Sequence, residues 1–172
     1  MIVANRSSLS IFSETRTVAE ITEALGIEPH SSADAGQPTR AAVAGRSLAA
    51  EYMRHQRTKW TFDSGPSFVD GEDDQGVGSL RAVVDVFRGK ADVLRSLRPD
   101  CETVIWWSAT SDNSQGTFVV PADLLADLAL LGCELRGTTL WHSPKGSHGS
   151  AQGSSLTTSR VRGRRPTLRD EQ

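Results

Sequence analysis

Residues 17–29 carry every signal that starts, orients and stops a short helix. Thr17 and Glu20 stand at capping-box spacing, so each side chain can satisfy a backbone donor at the helix start. Val18, Ile21 and Leu25 fall at i, i+3 and i+7 and share one face, which another layer must cover. Gly26 occupies the position where a helix end takes a left-handed residue, Ile27 supplies the usual apolar contact, and Pro29 prevents continuation. Ser8 to Phe12, just before, reads as a strand, so the unit is strand, capped helix and stop.

Other helices and strands follow along the chain. Ser31 to Gln37 is small and polar and reads as a loop, and Ala41 to Arg57 as a short helix. Trp60-Thr61-Phe62 alternates and is bounded by Ser64-Gly65-Pro66, which predicts a strand with one buried face. Leu80, Val83, Val84, Phe87, Ala91, Leu94 and Leu97 recur at helical spacing, with a kink at Gly89 and a stop at Pro99. Thr103 to Ala109 is β-branched and aromatic on both alternating faces, as a central strand is. Ser111 to Gly116 reads as a turn into a strand at Thr117–Val120, giving a hairpin. Pro121 opens a helix whose apolar stripe is Leu124, Leu125, Leu128 and Leu131 and which ends at Gly132. A last strand runs from Glu134 to Trp141.

These elements predict an α+β fold: one domain over residues 7–142, a mostly antiparallel sheet packed by about three helices. At 172 residues the chain is long enough for one substantial core. Phe12 precedes Gly26, and Phe118 precedes Gly132, by the same interval, which suggests a duplicated strand–helix–strand unit; the match of Ile21 with Asp127 weakens it. Residues 143–172 are Ser/Gly-rich and then Arg-rich, with little to bury, and are expected to form a disordered tail.

Charge separates the two parts. The net charge is -2, yet residues 143–172 hold six Lys/Arg against Asp170 and Glu171, so the body is acidic and the tail basic. An acidic body argues against a broadly basic nucleic-acid surface. Arg160, Arg162, Arg164 and Arg165 could neutralise phosphates weakly, but no aromatic side chain interleaves them for base stacking. Cys101 and Cys133 are too few for a disulfide framework and have no C-x-x-C spacing. No apolar run approaches the ~20 residues of a membrane span, and the start has no continuous apolar leader segment. A cytoplasmic protein is expected.

No reaction centre emerges. His30, His55, His142 and His148 are scattered, without the i, i+4 pairing of a helical zinc motif. Asp70, Glu72, Asp73 and Asp74 form an acidic loop that lacks EF-hand spacing. Gly76-Val77-Gly78 before a helix could offer backbone donors to a phosphate, but no Lys follows in the next turn. Neither a catalytic residue, a metal ligand set nor a cofactor is assigned. Four tryptophans are the other candidates. Trp106 and Trp107 point to opposite faces of their strand, so one becomes an exposed anchor if the sheet has an open side. Core packing is the first reading for the tryptophans, with Trp141 the one expected to be partly exposed; Trp60, Trp107 and Trp141, with the acidic loop, are the candidate partner-binding residues.

Ser8 to Phe12, Ala19 to Pro29, then Gly36, Pro38 and Arg40, Trp60 opening a strand, and the leucine helix ending at Gly132 together resemble a bacterial family catalogued as domain of unknown function 4279. The resemblance covers about residues 7–141 and rests on order and spacing. It implies a small α/β domain, an association of some members with bacterial toxin-immunity neighbourhoods, and no established catalytic residues. The chain departs from the pattern between Arg40 and Trp60 and in its tail. The expected function is a non-catalytic, immunity-like or regulatory protein-binding module. The alternatives are metal- or phosphate-dependent hydrolysis around the acidic loop, and weak nucleic-acid binding through the tail.

Overall fold

The computed structural model describes residues 2–68, 76–112 and 118–141. Its centre is β1 (Ile2–Ser13), paired antiparallel on one side with β3 (Thr58–Phe68) and on the other with β4 (Cys101–Ser111). A three-residue β2 (Ser31–Ala33) borders β3, and β5 (Glu134–Trp141) runs parallel to β4, giving the order β2-β3-β1-β4-β5. Helices α1 (Val18–Leu25), α3 (Gly78–Phe87), α4 (Ala91–Leu97) and α5 (Ala122–Leu131) pack their apolar faces into one core with the sheet. The single-turn α2 (Arg40–Val43) buries nothing. The fold is therefore the α+β, mostly antiparallel sheet expected.

Strand pleating decides which residues meet the helices, because successive side chains point to opposite faces. Leu9 and Ile11 of β1, Trp60 of β3 and Ile105 of β4 are fully buried, and all join the core cluster with Ile21, Leu25, Leu80, Phe87 and Leu94. Polar groups under the helices are paired. Asn5 Oδ1 accepts from the Ser79 amide at 2.9 Å, and the Ser7 and Ser79 hydroxyls meet at 2.9 Å, tying β1 to the first turn of α3. The Trp60 indole N–H donates to Thr22 Oγ1 at 3.1 Å, fixing α1 on β3.

Both capping box and left-handed stop close α1. Thr17 and Glu20 exchange hydrogen bonds, and Gly26 takes φ +63°. Asp34, at the end of β2, adds a second N-terminal cap through the Val18 amide at 2.7 Å. The long helical run breaks near Gly89, where residues Arg88–Lys90 form a 3-10 turn between α3 and α4. Gly132 ends α5 at φ +64°, and Arg98 from the end of α4 donates to its carbonyl at 2.7 Å.

Several expectations are corrected. β1 starts at Ile2, ahead of the boundary expected at residue 7. Part of the expected loop 31–37 is β2, held by pairing to Thr61 and its neighbours rather than by its own propensity. β3 continues through Ser64-Gly65-Pro66. A register shift between Arg6 and Ser8 absorbs the irregularity, Gly65 takes φ +79°, and Ser64 donates to the Ser7 carbonyl at 3.0 Å. The expected helix over 41–57 is only α2 and a 3-10 turn at Ala50–Tyr52. Phe118–Val120 is not a strand, so β4 enters no hairpin with it; α5 carries the chain to β5 alongside β4. The strand–helix–strand echo is not matched by like strands: Phe12 lies in β1 but Phe118 lies in no strand, and β2 borders β3 rather than β1, whereas β5 lies directly beside β4. Leu125 lies outside the buried stripe, half exposed. The acidic loop 70–74 and the tail lie outside the described residues.

Trp60 and Trp107 are both buried, but the Trp107 indole N–H has no hydrogen-bond partner among the described residues. Trp60→Phe should therefore cost about 2 kcal/mol, since it strands the Thr22 hydroxyl and leaves a cavity. Trp107→Phe should cost about 1 kcal/mol less, because it also removes an unsatisfied donor. Guanidinium denaturation followed by circular dichroism compares the two.

Candidate functional site

The side chains that alternate with the core set lie on the opposite face of the sheet, where no described helix packs. Along β1 they are Arg6, Ser8, Ser10 and Phe12. Thr61 and Asp63 stand beside them on β3, Glu102, Val104 and Trp106 on β4, and Arg136 beside Trp106 on β5. The centre of the face is small and closed: Val104 is fully buried by its neighbours, and the Ser10 and Thr61 hydroxyls are bonded to each other at 3.1 Å.

Around that centre the charges are paired and stacked on aromatic rings. Glu102 accepts from Arg57 at 2.7 Å and from Arg136 at 3.4 Å. The Arg57 guanidinium lies 5.0 Å from the Phe12 ring centroid, and that of Arg136 lies 5.2 Å from the Trp106 ring. Arg136 also forks onto Glu134 at 2.8 and 2.9 Å, which holds the Glu134 carboxyl below its usual range. The result is a continuous row, Phe12–Arg57–Glu102–Arg136–Trp106, across β1, β4 and β5. Arg–aromatic stacking of this kind fixes flexible side chains without removing them from solvent. Trp106 stays 38% exposed.

At the other end of the face, Arg6 Nε donates to both Asp63 carboxylate oxygens at 2.9 and 3.0 Å, and its Nη2 donates to Oδ2. Hydrogen bonding to Arg6 holds the Asp63 carboxyl below its usual range, helped by the Gly65 amide at 2.8 Å. His30 accepts from the Asp63 amide through Nδ1 at 3.1 Å and meets Phe62 edge-on. Arg6, His30, Ser31 and Asp63 border an open hollow of about 500 Å³. A second shallow cleft, about 480 Å³, runs past Phe12, Arg57, Arg98, Asp100 and Cys101. The Cys101 thiol on its wall is buried, and burial pushes its pKa up, the opposite of an activated nucleophile.

Of the sequence candidates, Trp60 is fully buried and Trp107 is 5% exposed, so both pack in the core rather than standing on the surface. Both point to the helix side; Trp107 packs against Phe118 and against Gly137 of β5, where an added Cβ would lie 3.4 Å from its ring. Trp141 is 61% exposed at the end of β5. Asp70, Glu72, Asp73, Asp74, Arg160, Arg162, Arg164 and Arg165 lie outside the described residues. The start of α3 after Gly76-Val77-Gly78 gives its Ser79 amide to Asn5. Among the described residues no three His, Cys, Asp or Glu side chains are placed to hold a metal ion. Of the Trp106/Trp107 pair the sequence reading took Trp107 as the candidate, and it missed Phe12, Arg57, Glu102 and Arg136. The parity of Glu102, Trp106 and Ser108 marks the open face of β4, whereas Arg57 sits in irregular sequence with no periodic signal.

A five-stranded sheet with helices on one face and a charged, aromatic face on the other defines a small α+β domain. Residues 4–140 match the family model described as a domain of unknown function (DUF4279), and the chain belongs to that family. The comparison finds no match among curated proteins and none among solved structures. No helix among the described residues is long and apolar enough to cross a membrane.

The depressed Asp63 pKa sets a pH dependence. Its stabilising contribution is complete above the unfolded carboxylate value of about 3.9 and is lost as pH falls through the lower folded value. Arg6 is mostly exposed, so the pair should contribute only about 0.5 kcal/mol. Asp63→Asn is expected to lower the urea midpoint near neutral pH and to converge with the parent protein in acid; titration of the Asp63 carboxyl by NMR should show its pKa rising in Arg6→Ala.

Proposed function

We propose that the chain is a non-catalytic module that recognises another protein through the open face of its sheet, with Trp106 and Arg136 at the centre of the contact. The observation that carries this reading is the row from Phe12 to Trp106: an exposed indole and two arginines, the residue types that dominate interface energetics, held in fixed positions by Glu102. Because these charges are already paired, a partner covering the face would not bury an isolated charge, which would otherwise be costly. A rigid sheet also loses little conformational freedom on binding.

Blocking a partner by surface complementarity needs no reactive residue, and this supports an immunity-like or regulatory role in a bacterial cell. The same reading puts the protein in the cytoplasm, where the free thiols of Cys101 and Cys133 stay reduced. Hydrolysis at the start of α3 is the weaker reading, because the Ser79 amide there is already used by Asn5.

Affinity capture from native lysate, repeated with Trp106→Ala and Arg136→Glu, tests the proposal. A specific protein should be retained by the parent chain and by a chain ending at residue 141, and should bind Trp106→Ala about 30-fold more weakly, equivalent to about 2 kcal/mol. Capture indifferent to both substitutions, or dependent only on nucleic acid, would overturn it.

A further inference from the structure

We propose that β5 is a pairing edge for a second copy of this chain, the two β5 strands running antiparallel about a twofold axis at Thr138 and joining two five-stranded sheets into one. This goes beyond the recognition face, because the contact is along the strand edge and leaves that face open.

The two edges of the sheet differ. One ends in the three-residue β2, and short edge strands are a common defence against unwanted pairing. The other ends in β5, eight residues long and exposed throughout, whose outer side pairs with no described strand. Among the described residues β5 has few of the usual protections. It has no Pro and no Lys, and its pairing with β4 runs from Glu134 to Trp141 without a register shift. Its only charged side chains, Glu134 and Arg136, are forked onto each other, so Gly137 to Trp141 presents an uncharged edge.

The order of residues along β5 fits a second copy. A twofold perpendicular to the sheet keeps each face on its own side, so paired residues must share parity. Centred on Thr138, the pairing sets Leu135 against the partner's Trp141 and Gly137 against the partner's Thr139 on the helix side. Leu135 and Trp141 are 40% and 61% exposed, and each becomes the other's cover. On the open side Arg136 meets the partner's Leu140. Centring on Gly137 instead sets Leu135 against the partner's Thr139 and Trp141 against the partner's Cys133, which precedes the strand. Parallel, in-register pairing would stack Glu134 on Glu134 and Arg136 on Arg136, and like charges directly opposite are destabilising.

A specific interface covers about 800 Å² on each partner, more than one paired strand supplies. Leu125 extends the apolar edge on the helix side. The flank of α5 carrying Asp123 and Asp127 is bound to Arg81 and Arg88, and Leu125 lies on the other flank, 51% exposed. Phe118, packed at a tilt against Trp107 with ring centroids 4.7 Å apart, is exposed just before it.

Sedimentation equilibrium of the full chain should show a reversible dimer whose dissociation constant rises roughly 10-fold or more in Leu135→Lys. The register is tested by cysteines. Thr138→Cys places two thiols opposite each other across the axis, where cross-strand Cβ atoms lie about 4.5–5.5 Å apart, and should form a disulfide-linked dimer on mild oxidation. Thr139→Cys, opposite the partner's Gly137, should not. A chain that stays monomeric up to high concentration, a dimer indifferent to Leu135→Lys in a variant with unchanged circular dichroism, or equal crosslinking of the two cysteine variants would each overturn the proposal. If Leu135→Lys fails to fold, the crosslinking comparison decides alone.

Discussion

The pleat of β1 is the constraint on which the rest of the structure depends. This strand pairs on both edges, with β3 and with β4, so its alternation sets the facing of every neighbour in register with it. Leu9 and Ile11 point toward the helices, and Trp60 and Ile105, opposite them on β3 and β4, follow. Ser8, Ser10 and Phe12 point the other way, and Asp63, Trp106 and Glu102 go with them. A slip of one residue would place Trp106 in the core and Trp107 outside, exchanging the two faces. Asn5 and Ser7 pin that register from beneath, because their bonds to Ser79 form only when these side chains face α3.

Local signals were readable where one stretch of chain supplied all the groups that satisfy it. The Thr17/Glu20 box, Gly26 and Gly132 are of this kind, and α1, α5 and the bounds of β5 follow from them. Structure made by distant partners was not readable. Ser31–Ala33 is polar and has no strand propensity of its own, and it is a strand because β3 offers it an edge. Ser64-Gly65-Pro66 has the composition of a turn, yet stays in β3 because β1 shifts register to accommodate it. Phe118 and Val119 look like a strand but pair with no described strand, and the Phe118 ring instead packs at a tilt against Trp107.

The candidate site was legible only in part, for the same reason. Alternation alone says that Trp106 and Trp107 face opposite ways; it does not say which side the helices cover. That choice comes from β1, through Ser7 opposite Trp107 and Ser8 opposite Trp106. Arg57 and Arg136, far apart in sequence, meet at Glu102 only once β1, β4 and β5 are assembled. The face therefore has a fixed charge pattern that no local stretch encodes, and the edge beside it is left with little charge.

The assignment of faces is tested most directly by hydrogen exchange of the four tryptophan indole N–H groups, resolved by NMR in the full chain. Slow exchange at Trp60 and Trp107 with fast exchange at Trp106 and Trp141 is the predicted result. Protection of Trp106 together with rapid exchange at Trp107 would mean that the faces of β4 are inverted, and would contradict the account.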